Sequence, residues 1–522
     1  MSDTKHDLLL AEAIRLGIPP DRAEAFLSAD LSLIRSPWSI PGMDALVARL
    51  DAAAREGKQL LLFGDFDTDG VTATAVLFAT LSRRMPFARR YNPWFREGYG
   101  LRIEQVERFA AERAQVIVTI DNGITAHAAV GRAQELGVEV LIIDHHLPRS
   151  DVGAPATTCI DPPDNILSAS QVGYLVAQAL RETWWGEAGH ADGGLALAAV
   201  GAQMDWMPLD AAENRGWIAH GQRVINSPAC PPGLAAIRRA LGEDHTSSEL
   251  FSIGSPINLG KRLMSVDPNL VVELLLPDTL AARRDELAMR LVAERKRVEE
   301  MECGVYKRAM SDVEQLRGEG GLLIYSVESP DNDLAELEGS LANKLTYATG
   351  RPVLALRRSP GSADVIAFSG RAAGTFSFAS FIGDAGLRRV VLDMGGHAKA
   401  MGGTFRPDRL DDFIAAVHAW EKSTQGQEIW SNTTEPPTPP RELADLSPRV
   451  AYTLARTLGP FGHRFRRPVY RTMLDTHDGT TLSRVTPVHT DMPLPDGAHK
   501  VTFTFNEAQC DGQQVGITVL PN

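Results

Sequence analysis

Three stretches of this sequence decide its fold: QLLLFGDFD (59–67), AQVIVTIDNG (114–123) and VEVLIIDHH (138–146). Each is a run of aliphatic residues that ends in acids or histidines, and a helical pattern follows each of the first two. Near-continuous apolar runs linked by helices are typical of a parallel sheet that is covered on both faces. The sequence therefore predicts an α/β domain with a parallel sheet over residues 58–277.

Helical segments are predicted on either side of this domain. Residues 1–57 carry Leu, Ala and Val at helical spacing, interrupted at Pro19 and Pro20. Residues 278–317 contain no proline and a single glycine, Gly304, and are rich in Arg, Glu, Ala and Leu. This composition predicts one long connecting helix, with Gly304 as a candidate break.

The rest of the chain predicts two further domains. GGLLIYSV and RPVLALRR are strand-like and open a second α/β domain over residues 318–425. Residues 426–447 form a proline-rich linker. Short alternating segments such as KVTFTF and QVGITVL predict a small β module over residues 448–522.

Composition excludes several classes of protein. With 44% hydrophobic and 23% charged residues, the 522-residue chain is neither disordered nor fibrous. Four cysteines without metal-knuckle or redox spacing argue against a disulfide framework and favour a reducing compartment. We expect no signal peptide and no membrane span, and a cytoplasmic monomer. The net charge of −13 weighs against a polyanionic partner, although cations bound to an acidic site would neutralise part of it.

Acids and histidines follow every apolar run of the predicted sheet. Because ligands bind at the carboxyl ends of the strands in such sheets, these side chains are expected to share one edge. An additional acid interrupts the apolar helical stretch GGLALAAVGAQMDWMPLD. The complete set is Asp65, Asp67 and Asp69 in GDFDTDG, Asp121 in TIDNG, Asp144, His145 and His146 in IDHH, and Asp205 in QMDWMPL.

Clustered carboxylates repel one another unless cations lie between them, so the set predicts a metal site. A mixture of Asp and His suits Mn²⁺ or another transition metal better than Ca²⁺. An acidic turn is the simpler alternative for each motif alone. A calcium loop is disfavoured because GDFDTDG follows a strand and has Val76 where an EF-hand loop has glutamate.

The order of these motifs resembles the DHH phosphoesterases, and among them the RecJ-type single-strand-specific exonucleases. The resemblance covers residues 58–522. It rests on the motifs GDFDTDG, EGYGL (97–101), TIDNGI, IDHH, VGYLVAQAL (172–180), MDWMPL, FSGR (368–371), GGHAKAMGG (395–403) and GPFGHRFRRPVY (459–470). It implies a DHH domain, a DHHA1-type second domain and an OB-like nucleic-acid-binding module.

The resemblance also implies a two-metal centre. Its ligands would be Asp67, Asp69, Asp121, His145 and Asp205, with Asp121 between the two ions. Asp65 and His146 are further candidates, as ligands or as groups that orient ligands and water, and Asp144 would support the histidines. His146 could donate a hydrogen bond to the phosphate, act as a general acid, or only pack beside the site. Phe63 stands where some members have a histidine, so one metal is expected to have fewer protein ligands.

Substrate contacts are predicted in the later motifs. The resemblance implies that Arg262, Ser369 and Arg371 hold a 5′-terminal phosphate and so set directionality. Backbone N–H groups of the glycine-rich turn around His397 and Lys399 could also approach a phosphate. Lys261 is either a phosphate contact or a surface lysine. Arg464 and Arg466, interleaved with Phe461 and Phe465, suit a single strand, although a surface turn with core aromatics is the alternative.

The sequence thus predicts an exonuclease that uses Mn²⁺ or Mg²⁺ to hydrolyse single-stranded DNA from its 5′ end in recombination or repair. A single-strand-binding or other replication or repair protein is a candidate partner. Two alternatives stay open: a phosphodiesterase of cyclic dinucleotides or short oligonucleotides, and a catalytically silent nucleic-acid-binding scaffold.

Overall fold

The computed structural model divides the chain into two compact units. One unit comprises Met1–Gly260, Asp267–Val292 and Pro440–Asn522, and the other comprises Lys261–Val266 and Ala293–Pro439. The finer domain boundaries predicted from the sequence stay a prediction. The structure describes residues 3–148, 152–160, 162, 164–242, 249–315, 321–328, 331, 333–358, 365–373, 376–396 and 399–423, with the backbone of 441–442, 470–477, 480–483, 486–490, 497–505 and 515–520.

A five-stranded parallel sheet forms the centre of the first unit, as predicted. Its strands are β1 (Leu60–Phe63), β2 (Arg89–Tyr91), β3 (Val116–Ile120), β4 (Glu139–Ile143) and β5 (Thr158–Ile160). They pair in the order β2-β1-β3-β4-β5. The apolar runs correspond to β1, β3 and β4. The pattern missed β2 and β5, because strands of three residues at the sheet edges carry no long apolar run.

Helices surround this sheet. The N-terminal segment predicted to be helical contains the first three helices, and 3-10 turns at Pro20–Arg22, Leu31–Leu33 and Pro37–Ser39 connect them. The helices of this part of the chain are α1 (Asp3–Arg15), α2 (Ala23–Ser28), α3 (Met43–Arg55), α4 (Thr68–Arg84), α5 (Ile103–Ala111), α6 (His127–Glu135), α7 (Ala169–Trp185), α8 (Asp192–Met204), α9 (Ala212–Ile225), α10 (Pro232–Leu241), α11 (Glu249–Ile257), α12 (Leu259–Arg262) and α13 (Pro268–Leu275).

Apolar packing covers both faces of the sheet. On one face, Leu61 and Phe63 of β1 pack with side chains of α5 and α6 in a buried cluster. On the other face lie α4 and α7, and Gly173 of α7 approaches Ile120 so closely that a methyl group there would meet its side chain at 2.7 Å. This two-sided cover leaves the carboxyl edge of the strands as the place where polar groups can gather.

The predicted long helix is present as α14 (Ala281–Gln315). It continues through Gly304, so the candidate break there is wrong: one glycine costs about 1 kcal/mol relative to alanine, too little to end a helix of this length. Among the described helices, this one included, none is apolar over a long enough stretch to cross a membrane.

The second unit contains a mixed sheet. Its strands β6 (Leu323–Ser326), β7 (Val353–Arg358), β8 (Ile366–Arg371), β9 (Asp393–Gly396) and β10 (Ala400–Phe405) pair in the order β6-β7-β8-β10-β9. Only β6 and β7 run parallel. The helices are α15 (Leu337–Thr349), α16 (Ala379–Gly383), α17 (Ala385–Arg388) and α18 (Leu410–Lys422). An aromatic cluster that includes Phe376, Phe405 and Trp420 fills its core.

The C-terminal strands form a separate sheet. They are β11 (Arg441–Glu442), β12 (Tyr470–His477), β13 (Thr480–Ser483), β14 (Thr486–Thr490), β15 (Gly497–Phe505) and β16 (Val515–Leu520). The order β11-β12-β13-β14-β16-β15, with a further pairing of β12 to β15, closes five of them into a circuit. The OB-like assignment stays a prediction, and most of the linker 426–447 lies outside the described residues.

Phe63 tests how strongly the sheet depends on its apolar layer. Its buried ring lies 6.1 Å from Tyr91 and 6.0 Å from Phe109, measured between ring centroids. We expect Phe63→Ala to lower the free energy of unfolding by about 3–5 kcal/mol, because the cavity cannot be refilled from rigid strands. Denaturant unfolding followed by circular dichroism measures the change. The control Phe87→Ala removes a ring that is 69% exposed and should cost less than about 0.5 kcal/mol. Equal effects of the two changes would contradict this account.

Candidate metal centre

The first acidic motif occupies the turn between β1 and α4. Asp65 follows the strand and is buried, and its backbone carbonyl accepts a hydrogen bond from Asn92. Asp67 caps α4, since its carboxylate accepts a hydrogen bond from the backbone N–H of Gly70 at 3.1 Å. The acids at alternate positions of GDFDTDG therefore lie at the start of a helix and not in a calcium-binding loop.

Asp69 lies in the first turn of α4 and is held by the start of α7. Its two carboxylate oxygens accept hydrogen bonds from the backbone N–H groups of Ala169 at 2.7 Å and Ser170 at 3.1 Å. Helix N-termini favour negative charge in this way. Gly201 of α8 lies against the same carboxylate: a methyl group at this position would come within 2.6 Å of Asp69 Oδ1.

Asp121 follows β3 in a strained backbone conformation. Its φ of +65° is in the left-handed region, which aspartate and asparagine tolerate better than most residues. Its backbone N–H donates to Ile143 of β4 at 3.1 Å. Strain of this kind persists where the surrounding structure enforces it, and here it accompanies a buried carboxylate.

Asp144 orients the two histidines that follow β4. Its Oδ1 accepts hydrogen bonds from the backbone N–H of His145 at 2.8 Å and from His146 Nδ1 at 2.8 Å, and its Oδ2 accepts one from Ile124 N–H. Burial alone would raise the pKa of Asp144, but these hydrogen bonds hold it below its usual value. Burial likewise opposes protonation of His146, yet Asp144 raises the pKa of its imidazole to about 9.

His145 lies at the centre of the cluster. Its Nε2 is 3.3 Å from Asp121 Oδ1, 3.6 Å from Asp205 Oδ2 and 3.9 Å from Asp69 Oδ2. Asp205 follows directly after α8 and so ends the apolar helix rather than interrupting it. Side chains from the ends of β3, β4 and α8 and from the start of α4 thus meet at one place.

The structure brings together all five residues predicted to bind metal. The possible ligand atoms form three groups, and within each group they lie within 4.8 Å of one another. Asp121 and His145 each belong to two of these groups. Asp65 and His146 also take part, whereas Asp144 acts through its hydrogen bonds. The groups are Asp121, His145 and His146; Asp69, His145 and Asp205; and Asp65, Asp67 and Asp121.

The electrostatics of the cluster fit divalent cations. Burial, followed by the charges of Asp69, Asp67, Asp65 and Asp205, raises the pKa of Asp121 well above its usual value. Burial lowers the pKa of His145, which favours the neutral imidazole that binds metals. Within the part of the chain that the structure describes, neither ring nitrogen of His145 has a hydrogen-bond partner. A cation would neutralise the carboxylates and give this buried imidazole a partner.

Phe63 and Tyr99 add what the motifs alone did not reveal. Phe63 packs in the apolar layer between the sheet, α5 and α6. The expectation that one metal has fewer protein ligands, because Phe63 stands in place of a histidine, stays a prediction. The hydroxyl of Tyr99 donates to the backbone carbonyl of Asp121 at 3.0 Å and lies 3.2 Å from His146 Nδ1. Tyr99 stands in EGYGL, a motif that supported the family resemblance but whose tyrosine had no predicted role.

Two of the predicted phosphate contacts lie side by side in the second unit. Arg371 donates hydrogen bonds to Ser369 Oγ at 2.9 Å and to the backbone carbonyl of Gly370 at 2.8 Å. Gly339, in the first turn of α15, faces both: a methyl group there would lie 3.5 Å from each side chain. Burial lowers the pKa of the Arg371 guanidinium. Among the described residues, no carboxylate forms an ion pair with it.

The other predicted contacts are engaged elsewhere or lie outside the described residues. Arg262 forms an ion pair with Glu302 and donates to the backbone carbonyl of Glu336 at 3.0 Å. Lys399 donates to the backbone carbonyl of Phe376 at 3.0 Å. Lys261 lies in α12, beside Arg262. His397, Arg464 and Arg466 lie outside the described residues.

Known proteins resemble the chain along most of its length. Residues 59–199 match the DHH family, N-terminal domain. The single-stranded-DNA-specific exonuclease RecJ of Escherichia coli (strain K12) is 31% identical over 472 residues, which are 83% of this chain and 78% of that protein. RecJ of Dickeya dadantii (strain 3937) is 31% identical over 466 residues, 82% of this chain and 77% of that protein.

Solved structures support the same fold. The crystal structure of RecJ from Thermus thermophilus in complex with Mn²⁺ superposes with a TM-score of 0.73 at 23% identity, covering 97% of this chain and 76% of that chain. A crystal structure of exonuclease RecJ bound to manganese has a TM-score of 0.60 at 26% identity, covering 76% of this chain and 98% of that chain.

Asp121→Asn tests the electrostatic strain of the cluster. Asparagine keeps the left-handed backbone but removes the charge, so the metal-free variant should be more stable than the metal-free wild type at neutral pH. Because the folded-state pKa of Asp121 is raised, the metal-free wild type is most stable where this carboxyl is protonated. Its free energy of unfolding should therefore fall as the pH rises from the unfolded pKa through the folded one.

Thermal unfolding in EDTA across a pH series measures the effect, with the exposed Asp21→Asn as control. Added Mn²⁺ should stabilise the wild type and Asp21→Asn more than Asp121→Asn, because the variant has lost one ligand. Equal stability of the two metal-free proteins at every pH would contradict the account.

Proposed function

The chain belongs to the RecJ family of single-stranded-DNA-specific exonucleases, and we propose that it removes nucleotides from the 5′ end of single-stranded DNA in recombination or repair. Family membership and the cluster of acids and histidines support metal-dependent exonuclease action on single-stranded DNA. The polarity and the biological setting are the finer parts of the proposal. The observation that carries metal-dependent hydrolysis is that Asp121 and His145 each belong to two groups of possible ligand atoms.

The proposed ligands are the residues at the ends of the strands and helices. They are Asp67, Asp69, Asp121, His145 and Asp205, with Asp65 as a further oxygen donor. This mixture of carboxylates and one neutral imidazole suits Mn²⁺, and Mg²⁺ could take the oxygen-rich part. Divalent cations bound there would lower the pKa of a water molecule and stabilise charge on the attacked phosphate.

His146 is the proposed proton donor. Asp144 favours the protonated imidazole by raising its pKa, and both ring nitrogens of that form donate. Nδ1 is taken by Asp144, so Nε2 is left to donate a hydrogen bond to a phosphate oxygen or a proton to the leaving oxygen. Asp144 and Tyr99 fix the ring in the orientation that this role requires.

Arg371 is the proposed anchor for a 5′-terminal phosphate. The guanidinium is partly buried and its described acceptors are neutral oxygens. The charges of Glu336 and Glu338 offset its burial only in part, so a phosphate would add compensating charge. Ser369 offers a hydroxyl next to it, and the first turn of α15 offers backbone N–H groups. Arg262 is a weaker candidate for this contact, because Glu302 already neutralises it.

The remaining parts of the proposal follow from the sequence motifs. Arg464 and Arg466 would bind the single strand at the entry to the C-terminal module. A single-strand-binding or other replication or repair protein would be the partner of a cytoplasmic, monomeric enzyme. A silent scaffold is disfavoured because every proposed ligand residue is present in the cluster. No described feature favours a cyclic dinucleotide as the substrate.

Hydrolysis of labelled oligonucleotides tests the activity. Wild-type protein with Mn²⁺ should release mononucleotides from 5′-labelled single-stranded DNA before any label is lost from the 3′ end. Asp121→Asn should reduce the rate by roughly a hundredfold or more, because it removes a shared ligand, while Asp21→Asn should not. Release that begins at the 3′ end would contradict the polarity, and full activity of Asp121→Asn would contradict the metal centre.

Arg371→Ala tests the 5′-phosphate contact. The variant should lose affinity for 5′-phosphorylated oligonucleotides by roughly tenfold to a hundredfold, the equivalent of one lost charge-assisted contact. Affinity for 5′-hydroxyl oligonucleotides should change little. Arg358→Ala, at the exposed end of β7 in the same sheet, is the matched control. A parallel loss on both substrates would show that Arg371 does not read the terminal phosphate.

A further inference from the structure

Two exposed aromatic side chains lie beside the metal centre and have no part in the function proposed above. Trp206 is 55% exposed and Phe251 is 39% exposed. Their ring centroids are 6.5 Å apart, with the ring planes at 67°, an edge-to-face contact. Trp38 and Phe87 of this unit are exposed as well, so the position of the pair beside the ligand groups, rather than its exposure, sets it apart.

Both rings are attached to backbone that adjoins the ligand groups. Trp206 directly follows Asp205, whose carboxylate lies 3.6 Å from His145 Nε2. Phe251 lies in α11 one turn before Gly254, and the carbonyl of Gly254 accepts a hydrogen bond from Thr68 Oγ1 at 3.3 Å. Thr68 stands between Asp67 and Asp69. The aromatic pair is therefore part of the rim of the metal centre.

The backbone of Trp206 is strained in a way that burial does not require. Its φ of +55° is in the left-handed region, where glycine commonly ends a helix and a bulky aromatic residue is unusual. The adjacent Asp205 and Met207 both hydrogen-bond back to the end of α8, to Gly201 and Ala202, which fixes the turn that presents the indole. A strained turn that exposes a large apolar ring next to a reactive centre indicates a ligand for that ring.

We propose that Trp206, supported by Phe251, stacks on a nucleobase that flanks the scissile phosphate. The inference rests on the proposed function and names a residue that positions its substrate. Aromatic side chains accept any base, because every base has a π-face, so this contact suits an exonuclease without sequence preference. Stacking also requires a base free of its complement, which gives the rim a part in selecting single strands.

Fluorescence of 2-aminopurine tests the contact without turnover. Oligonucleotides carrying 2-aminopurine at the first or second position from the 5′ end are titrated with protein in EDTA. Wild type should quench one of the two probes strongly; Trp206→Ala should lose that quenching and bind roughly tenfold more weakly, and Trp206→Phe should keep most of it.

Trp38→Ala is the matched control. Trp38 is also exposed, at 41%, and donates to Glu182, thirteen residues along α7 from Ala169 and therefore about 20 Å from the end of the helix that holds Asp69. The Trp38→Ala variant should quench the 2-aminopurine probes and bind the oligonucleotides like the wild type. Circular dichroism of each variant establishes that it is folded.

Kinetics on abasic substrates separate stacking from a merely structural role. Trp206→Ala should raise the KM for an intact oligonucleotide roughly tenfold while keeping kcat and the Mn²⁺ dependence. With an abasic site at the quenched position, wild type and variant should have the same KM. A variant that lowers kcat and weakens Mn²⁺ dependence equally on both substrates would show that Trp206 only supports Asp205, and would overturn the inference.

The inference and the proposed function fail in different ways. If wild type hydrolyses single-stranded DNA from the 5′ end but Trp206→Ala quenches and binds like it, the stacking role is wrong and the proposed function stands. If wild type neither binds nor hydrolyses single strands, the proposed function itself is wrong.

Discussion

The constraint on which the rest of the structure depends is the repulsion among carboxylates gathered at the carboxyl edge of one parallel sheet. Asp65, Asp67 and Asp121 lie within a few ångströms of one another because the strands that precede them are neighbours. Apolar packing on both faces of the sheet holds these residues in place against the repulsion. Burial, followed by the charges of the neighbouring acids, raises the pKa of Asp121, and bound cations would offset both causes.

The backbone supplies the rest of the compensation, and it does so selectively. Asp69 and Asp144 each accept hydrogen bonds from backbone N–H groups, so their charges are stabilised before any metal binds. For Asp121 no such donor is found among the described contacts of its side chain, and it is the carboxylate shared by two ligand groups. The backbone thus holds Asp69 and Asp144 in place before an ion binds, whereas the charge of Asp121 depends most on the ion.

The sequence predicted the parts of this arrangement that depend on residues close together in the chain. Apolar runs indicated β1, β3 and β4, and the acids after them indicated the metal edge. Contacts between distant residues were harder: nothing in EGYGL says that Tyr99 will meet His146, forty-seven positions later. Likewise, β2 and β5 are strands because longer neighbouring strands pair with them. Lys399, in its glycine-rich turn, donates a hydrogen bond to a backbone carbonyl of the same unit. Pairing and tertiary contacts leave no periodic pattern that could be read in advance.

Gly201 shows that the metal centre also constrains residues that take no part in its chemistry. Because α8 crosses Asp69 so closely, even an alanine there would push against that carboxylate and against Ser170. The range of residues that evolution can accept at this position is therefore set by the need to keep one acid in place. In a comparison of descendants of this chain, such a glycine would vary as little as a ligand, although it has no side chain with which to bind an ion.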